Sequence, residues 1–77
     1  MPELQILTLR VDELETLRLC DLEGFDQKEA GERMGISRGT VQRLLKSGRE
    51  VVVRTLVEGR ALVIEETNSN SDESIEK

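Results

Sequence analysis

The sequence contains no histidine, tryptophan or tyrosine, and it has one cysteine, one phenylalanine and one proline among 77 residues. A single cysteine excludes a disulfide within the chain, and the absence of histidine excludes the common zinc-binding patterns. Cys20 stands in a helical pattern, where a cysteine usually packs as a small apolar side chain. We therefore expect no metal, no cofactor and no catalytic residue.

Three classes of protein lack their usual signatures here. The sequence has no phosphate-binding loop, dinucleotide fingerprint or metal-ligand cluster, so it does not predict an enzyme. One aromatic residue cannot provide the stacking platforms on which single-stranded nucleic acids bind. No apolar run is long enough to span a membrane and the first ten residues do not resemble a signal peptide, so we predict a protein of the reducing cytoplasm.

Charge is distributed unevenly along the chain, although the formal net charge is -5. Residues 1–25 carry six acids and two bases, and residues 61–77 carry five acids and one base. Residues 26–60 carry eight bases and five acids. One interpretation is that the basic segment forms a local surface that binds a polyanion. The alternative is that it forms a solvated helix face whose charges merely balance neighbouring acids.

The N-terminal half predicts a strand followed by two helices. Residues 4–9 ("LQILTL") are short, apolar and rich in strand-forming side chains. Residues 11–23 predict a helix with Leu14, Leu17 and Leu22 toward the core, ended by a glycine. Asp26 caps a second, short helix that stops at Gly35.

The C-terminal half predicts further helix and a second strand. Ser37 caps a helix whose apolar side is formed by Val41 and Leu44, with Leu45 at its edge. Residues 47–58 contain three consecutive valines that favour a strand, but helical spacing and the glycine after them favour a helix, which we predict. Residues 61–65 predict a strand, and residues 67–77 predict a disordered acidic tail. The two terminal strands must pair either within one chain or between two chains.

Residues 26–46 have the spacing of a helix-turn-helix, in which two helices meet across a short turn that contains glycine. Small side chains allow the helices to cross closely, a glycine forms the turn, and aliphatic side chains hold the second helix to the core. The predicted core positions are Ala30, Gly31, Met34, Gly35, Ile36, Val41 and Leu44.

The opposite side of the second helix, residues 37–46, carries donors for nucleic acid. At about 100° per residue, Arg38, Gln42 and Lys46 lie on one side. In a major groove, arginine pairs best with guanine and glutamine with adenine, so we predict base reading by Arg38, Gln42 and Arg43. Backbone phosphates give affinity without sequence information, and the hydroxyls, cations and amides near this helix suit them. The predicted phosphate-binding residues are Ser37, Thr40, Lys46, Arg49 and Arg54.

Residues 7–65 resemble a family of small prokaryotic proteins, domain-of-unknown-function family 134, which is predicted to bind DNA. The segments that carry the resemblance are "DELETLRLCDLEG", "MGISRGT" and "LVEGRAL". More distantly, the chain is similar to region four of bacterial sigma factors. The resemblance implies a three- or four-helix fold with a helix-turn-helix and a regulatory role on DNA.

These observations together predict a mainly α helix-turn-helix domain over residues 1–66, flanked by short strands, that binds double-stranded DNA as a transcriptional regulator. One reading helix contacts few base pairs and the terminal strands need partners, so we expect a homodimer joined through those strands. The alternative is a protein-interaction module that docks on the transcription machinery, for example on RNA polymerase.

Overall fold

The computed structural model describes residues 5–65, which form one mainly helical unit. Two short strands stand at its ends, and a π-helical segment continues the first helix. In chain order the elements are β1 (Ile6–Arg10), α1 (Val11–Leu17), the π-helical segment (Arg18–Leu22), α2 (Gln27–Met34), α3 (Arg38–Glu58) and β2 (Ala61–Glu65). The mainly α class with flanking strands is as the sequence predicted, and residues 67–77 lie outside the described part.

β1 and β2 pair with each other in parallel, with Ile6 opposite Ala61 and Arg10 opposite Glu65. The predicted strand at 61–65 is confirmed, while the first strand is shifted from 4–9 to Ile6–Arg10. The three helices form the crossover that two parallel strands require. Pairing within the chain is therefore the alternative that the structure adopts for the terminal strands.

α1 begins without a side-chain cap of the usual type. Arg10 occupies the N-cap position, and its backbone N–H donates to Glu13 Oε1 at 2.9 Å. The following π-helical segment widens the last turn, where the Glu23 N–H reaches back five residues to the Arg18 carbonyl. Gly24, with φ 84°, then ends the helical stretch, as the sequence predicted.

The face of α1 that enters the core differs from the predicted one. Leu14 is 40% exposed and Leu22 is 78% exposed, whereas Glu13 and Thr16 are buried. Both polar side chains are satisfied inside: the Thr16 hydroxyl donates to the Asp12 carbonyl, and Glu13 accepts from Arg10 and from a hydroxyl on α3. The prediction of a core face formed by Leu14, Leu17 and Leu22 is therefore wrong for Leu14 and Leu22.

α3 is one continuous helix of 21 residues, so residues 37–46 and 47–58 belong to the same element. Its N-cap is Ser37, whose hydroxyl accepts from the Thr40 N–H, and it ends at Gly59 with φ 64°. The three consecutive valines continue the helix because their pattern matches the helical period and a left-handed glycine follows.

The core lies where α1, α2 and α3 meet. Its buried apolar side chains are Leu19, Ala30, Val41 and Leu45, and Phe25, Met34 and Ile36 pack against them. Leu45 is 2% exposed while Leu44 is only half-buried, which reverses the order that the sequence predicted. No helix within residues 5–65 is long and apolar enough to cross a membrane.

Candidate nucleic-acid interface

The turn between α2 and α3 is short and is held by backbone and side-chain hydrogen bonds. α2 starts at Asp26, whose carboxylate accepts from the Glu29 N–H at 2.8 Å, and it ends at Gly35 with φ 72°. The Ile36 N–H donates to the Gly31 carbonyl at 2.9 Å, and Ser37 then caps α3. Only three residues separate the helices, so the direction of α3 relative to α2 is closely constrained.

Two glycines let α3 approach its neighbours. A Cβ on Gly31 would lie 2.7 Å from the Ile36 carbonyl oxygen and 3.4 Å from Val41 Cγ2. A Cβ on Gly48 would lie 3.3 Å from both Glu13 Cβ and Leu17 Cδ1. Gly48, which the sequence reasoning missed, marks the place where α3 crosses α1. A glycine inside a long helical pattern is the sequence signal that could have identified it.

The predicted core residues divide into three groups. Ala30, Gly31 and Val41 are buried, and Gly35 is the exposed turn residue. Half-buried are Met34, Ile36 and Leu44. Of these positions, Ala30 and Val41 belong to the buried core, Met34 and Ile36 pack against it, and Leu45 joins it where Leu44 was predicted.

The predicted base-reading residues lie on the surface of α3. Arg38, Gln42 and Arg43 are exposed. Arg43 Nη2 donates to Thr40 Oγ1 at 3.3 Å, a long and exposed contact. Within residues 5–65, no carboxylate lies within 4.0 Å of a nitrogen of Arg38, Arg43 or Lys46. These side chains can therefore bind a ligand without first breaking an ion pair.

The predicted phosphate-binding residues differ in whether an acidic side chain already binds them. Lys46 is exposed one turn beyond Gln42. At the start of α3, the hydroxyl oxygens of Ser37 and Thr40 are hydrogen-bonded to each other at 2.9 Å. The first turn of α3 contains no acidic residue. The N–H groups of such a helix start lack intrahelical partners and attract anions.

Arg49 and Arg54 are held by acids instead. Arg49 donates through Nε and Nη2 to both oxygens of Asp21, at 3.0 and 2.7 Å. Arg54 pairs with Glu50 at 3.1 Å and lies more than two turns beyond Lys46. The structure therefore does not bring Arg54 together with the residues at the start of α3. Arg49 instead forms a bidentate ion pair with Asp21 of the π-helical segment.

An open groove extends from this side of α3 to the start of α2. Its lining includes Gln27 and Lys28 of α2. Arg38 and Arg49 of α3 and Asp21 of the π-helical segment also line it. Lys28 is exposed and was not among the predicted site residues. The first helix of a helix-turn-helix can contact the nucleic-acid backbone. A base in the first turn of α2 is the sequence signal that could have identified Lys28.

The Asp21–Arg49 pair sets the protonation of its members. The hydrogen bonds from Arg49 lower the pKa of the Asp21 carboxyl, and the same bonds raise the pKa of the guanidinium. Nearby, partial burial raises the pKa of the Cys20 thiol, and the negative charge of Asp21 acts in the same direction. This shift disfavours the thiolate, and the Cys20 side chain packs against the core.

Metal ligands do not gather anywhere in the described part of the chain. Within residues 5–65, no three His, Cys, Asp or Glu side chains lie close enough together to hold a metal ion. Chemically, the exposed side of α3 offers two guanidinium groups, one amide and one ammonium. These are donors suited to nucleic-acid bases and phosphates.

Comparison with known sequences identifies the family of the chain. The model of the family described as "Protein of unknown function DUF134" matches residues 2–72, and the chain belongs to this family. A UPF0251 protein of Pyrococcus horikoshii is 57% identical over 58 residues, which are 75% of this chain and 53% of that protein. One from Thermococcus kodakarensis is 60% identical over 53 residues, which are 69% of this chain and 47% of that protein.

A third relative extends further along the chain. A UPF0251 protein of Vibrio parahaemolyticus is 47% identical over 68 residues, which are 88% of this chain and 71% of that protein. The chain spans about half the length of the first curated relatives it matches. No solved structure matches the chain.

Proposed function

We propose that this DUF134 protein binds double-stranded DNA as a transcriptional regulator, with α2 and α3 acting as a helix-turn-helix. The first two and a half turns of α3 enter the major groove. Arg38, Gln42 and Arg43 read base edges there, and Lys46 with the start of α3 contacts phosphates. Lys28 contacts the backbone from the start of α2.

One observation carries this proposal: exposed donors that form no ion pair within residues 5–65 lie on one side of a helix whose other side packs into the core. In a protein with net charge -5, Arg38, Arg43 and Lys46 have no acidic partner among the described residues. Uncompensated cations repel one another, so their accumulation on one face favours a polyanionic ligand. The remaining acidic surface repels DNA and thereby limits the ways in which the protein can dock.

The proposal is tested first by selecting bound duplexes from a random library at physiological salt. We expect one sequence motif to be enriched. Affinity for that motif should then fall steeply as salt rises, because each phosphate contact releases counterions. If no motif is enriched, base reading is rejected, and a protein that docks on this face becomes the better hypothesis.

Substitutions locate the contact. Arg43→Ala should weaken binding to the selected duplex by about 1–3 kcal/mol and should relax specificity at one base pair. Arg60→Ala is the matched control, since it removes the same charge just after the end of α3, where Arg60 pairs with Glu58. Equal effects of the two substitutions would show that only net charge matters and that the reading residues are misassigned.

A further inference from the structure

An apolar surface remains uncovered on the side of the molecule formed by α1, the π-helical segment and the second half of α3. Two adjoining grooves share Leu17 and Asp21: one extends to Leu14 and Leu22, the other to Val52 and Val53. Leu56 and Val57 are exposed on α3 about one turn beyond these valines. We define the apolar surface as Leu14, Leu17, Leu22, Val53, Leu56 and Val57.

The side chains of this surface are strongly exposed in one protomer. Leu56 is 76% exposed, Val57 is 77% exposed and Val53 is 55% exposed, in addition to Leu14 and Leu22. With roughly 150–200 Å² for a fully exposed aliphatic residue, the surface amounts to about 500–650 Å² in one protomer, at the upper end of the largest apolar patch on a typical monomer, about 300–600 Å². Two such faces together reach about 1,000–1,300 Å², which is at least the minimum area of a specific interface.

We infer that the apolar surface binds a second copy of this chain in a two-fold symmetric homodimer. This interface differs from pairing through the terminal strands, which are already paired with each other.

The charges at the edge of the apolar surface are compatible with self-association. A two-fold axis places a surface against itself, so an excess of one charge there would repel the second copy. Arg18 pairs with Glu15 and with Glu23, and Arg49 pairs with Asp21. The edge therefore carries both positive and negative side chains, which form ion pairs within the protomer. The residues that define the apolar surface itself are all aliphatic.

The test is sedimentation equilibrium of the full chain without DNA, which does not depend on the proposed function. We expect a dimer with a dissociation constant in the micromolar range, about the affinity that small, polar-rimmed interfaces give. Leu22→Lys and Val57→Lys change exposed residues and should each raise that constant at least tenfold while the helical circular dichroism stays unchanged. The matched control is Ile6→Lys, which places the same charge on an exposed apolar residue of β1 outside the surface.

Two results would overturn this inference. One is a wild-type chain that stays monomeric at about 100 μM, well above the expected constant. The other is a dimer that Ile6→Lys dissociates while Leu22→Lys and Val57→Lys leave it intact, because the interface would then include the sheet. A monomer that still binds a single half-site contradicts the dimer alone, and a dimer that enriches no duplex contradicts the DNA-binding proposal alone.

Discussion

Gly31 faces the backbone carbonyl of Ile36 so closely that a Cβ at position 31 would lie 2.7 Å from that oxygen. The Ile36 N–H also donates to the Gly31 carbonyl, so the two residues fasten the end of α2 to the turn. No larger side chain fits at position 31 unless the turn shifts. The direction in which α3 leaves the turn, and with it the direction of the polar donors, depends on this contact.

Gly31→Ala should destabilise the protein, although alanine is the better helix former. The helical preference gains up to about 1 kcal/mol, but forcing a methyl group into a packed contact costs about 1–3 kcal/mol. We expect a net loss of about 1 kcal/mol in urea unfolding. Gly39→Ala is the control: a Cβ there meets nothing within 4 Å, so the same substitution should stabilise by about 0.5–1 kcal/mol. A gain of stability at both positions would contradict the close contact.

Leu19→Ala should be far more damaging than Leu22→Ala. Leu19 is 3% exposed in the core, and truncating a buried leucine costs about 2–5 kcal/mol. Leu22 is exposed in the protomer, so its truncation should change the stability of the monomer by less than about 0.5 kcal/mol. Urea unfolding should be measured at a protein concentration at which the chain is monomeric, since Leu22 belongs to the proposed dimer interface. Equal losses at the two positions would place the buried face of the π-helical segment elsewhere.

Asp21→Ala should strengthen binding to duplex DNA. The substitution frees the Arg49 guanidinium, which now donates two hydrogen bonds to Asp21, and it removes a negative charge beside the groove. One additional phosphate contact should steepen the dependence of log affinity on log salt by about 0.9. Glu58→Ala, which removes the same charge near the end of α3, is the control and should leave the slope unchanged. Identical slopes in the two variants would exclude Arg49 from the DNA contact.

The same pair predicts a dependence of stability on acid pH. Arg49 lowers the pKa of the folded Asp21 carboxyl below its ordinary value. The stabilisation is therefore fully present above the pKa of the unfolded carboxyl, about 4, and it is lost as pH falls through the lower pKa of the folded state. Because the pair is exposed and solvent screens it, the effect should be small. Asp21→Asn should reduce the loss of unfolding free energy between pH 6 and pH 2, and an unchanged loss would contradict the pKa shift.

Local interactions made much of this structure predictable. Asp26 and Ser37 cap the helices that they were predicted to cap, and Gly35 and Gly59 end helices in the left-handed conformation. Such signals act within three or four residues, so a sequence displays them directly. The exposed positions of Arg38, Gln42 and Arg43 follow from the helical period alone.

The inward face of α1 could not be predicted in the same way. Leucines occur at positions 14, 17, 19 and 22, on more than one side of the helix, so apolar periodicity does not select a face. The buried face instead includes Glu13 and Thr16, whose polar groups find hydrogen bonds on the chain itself. The Ser47 hydroxyl that Glu13 accepts from lies 34 residues away, and no local pattern could reveal it.

The sequence by itself determined the helices, their caps, the three-residue turn and the polar side of α3, because each depends on neighbours along the chain. Only the tertiary structure decided that β1 pairs with β2 in parallel, that Leu45 enters the core, and that Asp21 holds Arg49. Tertiary packing also decided that the side of α3 that carries donors at its start carries uncovered Val53 and Val57 at its end. The reason is physical: contacts between distant segments depend on how whole helices pack, which short-range preferences do not specify.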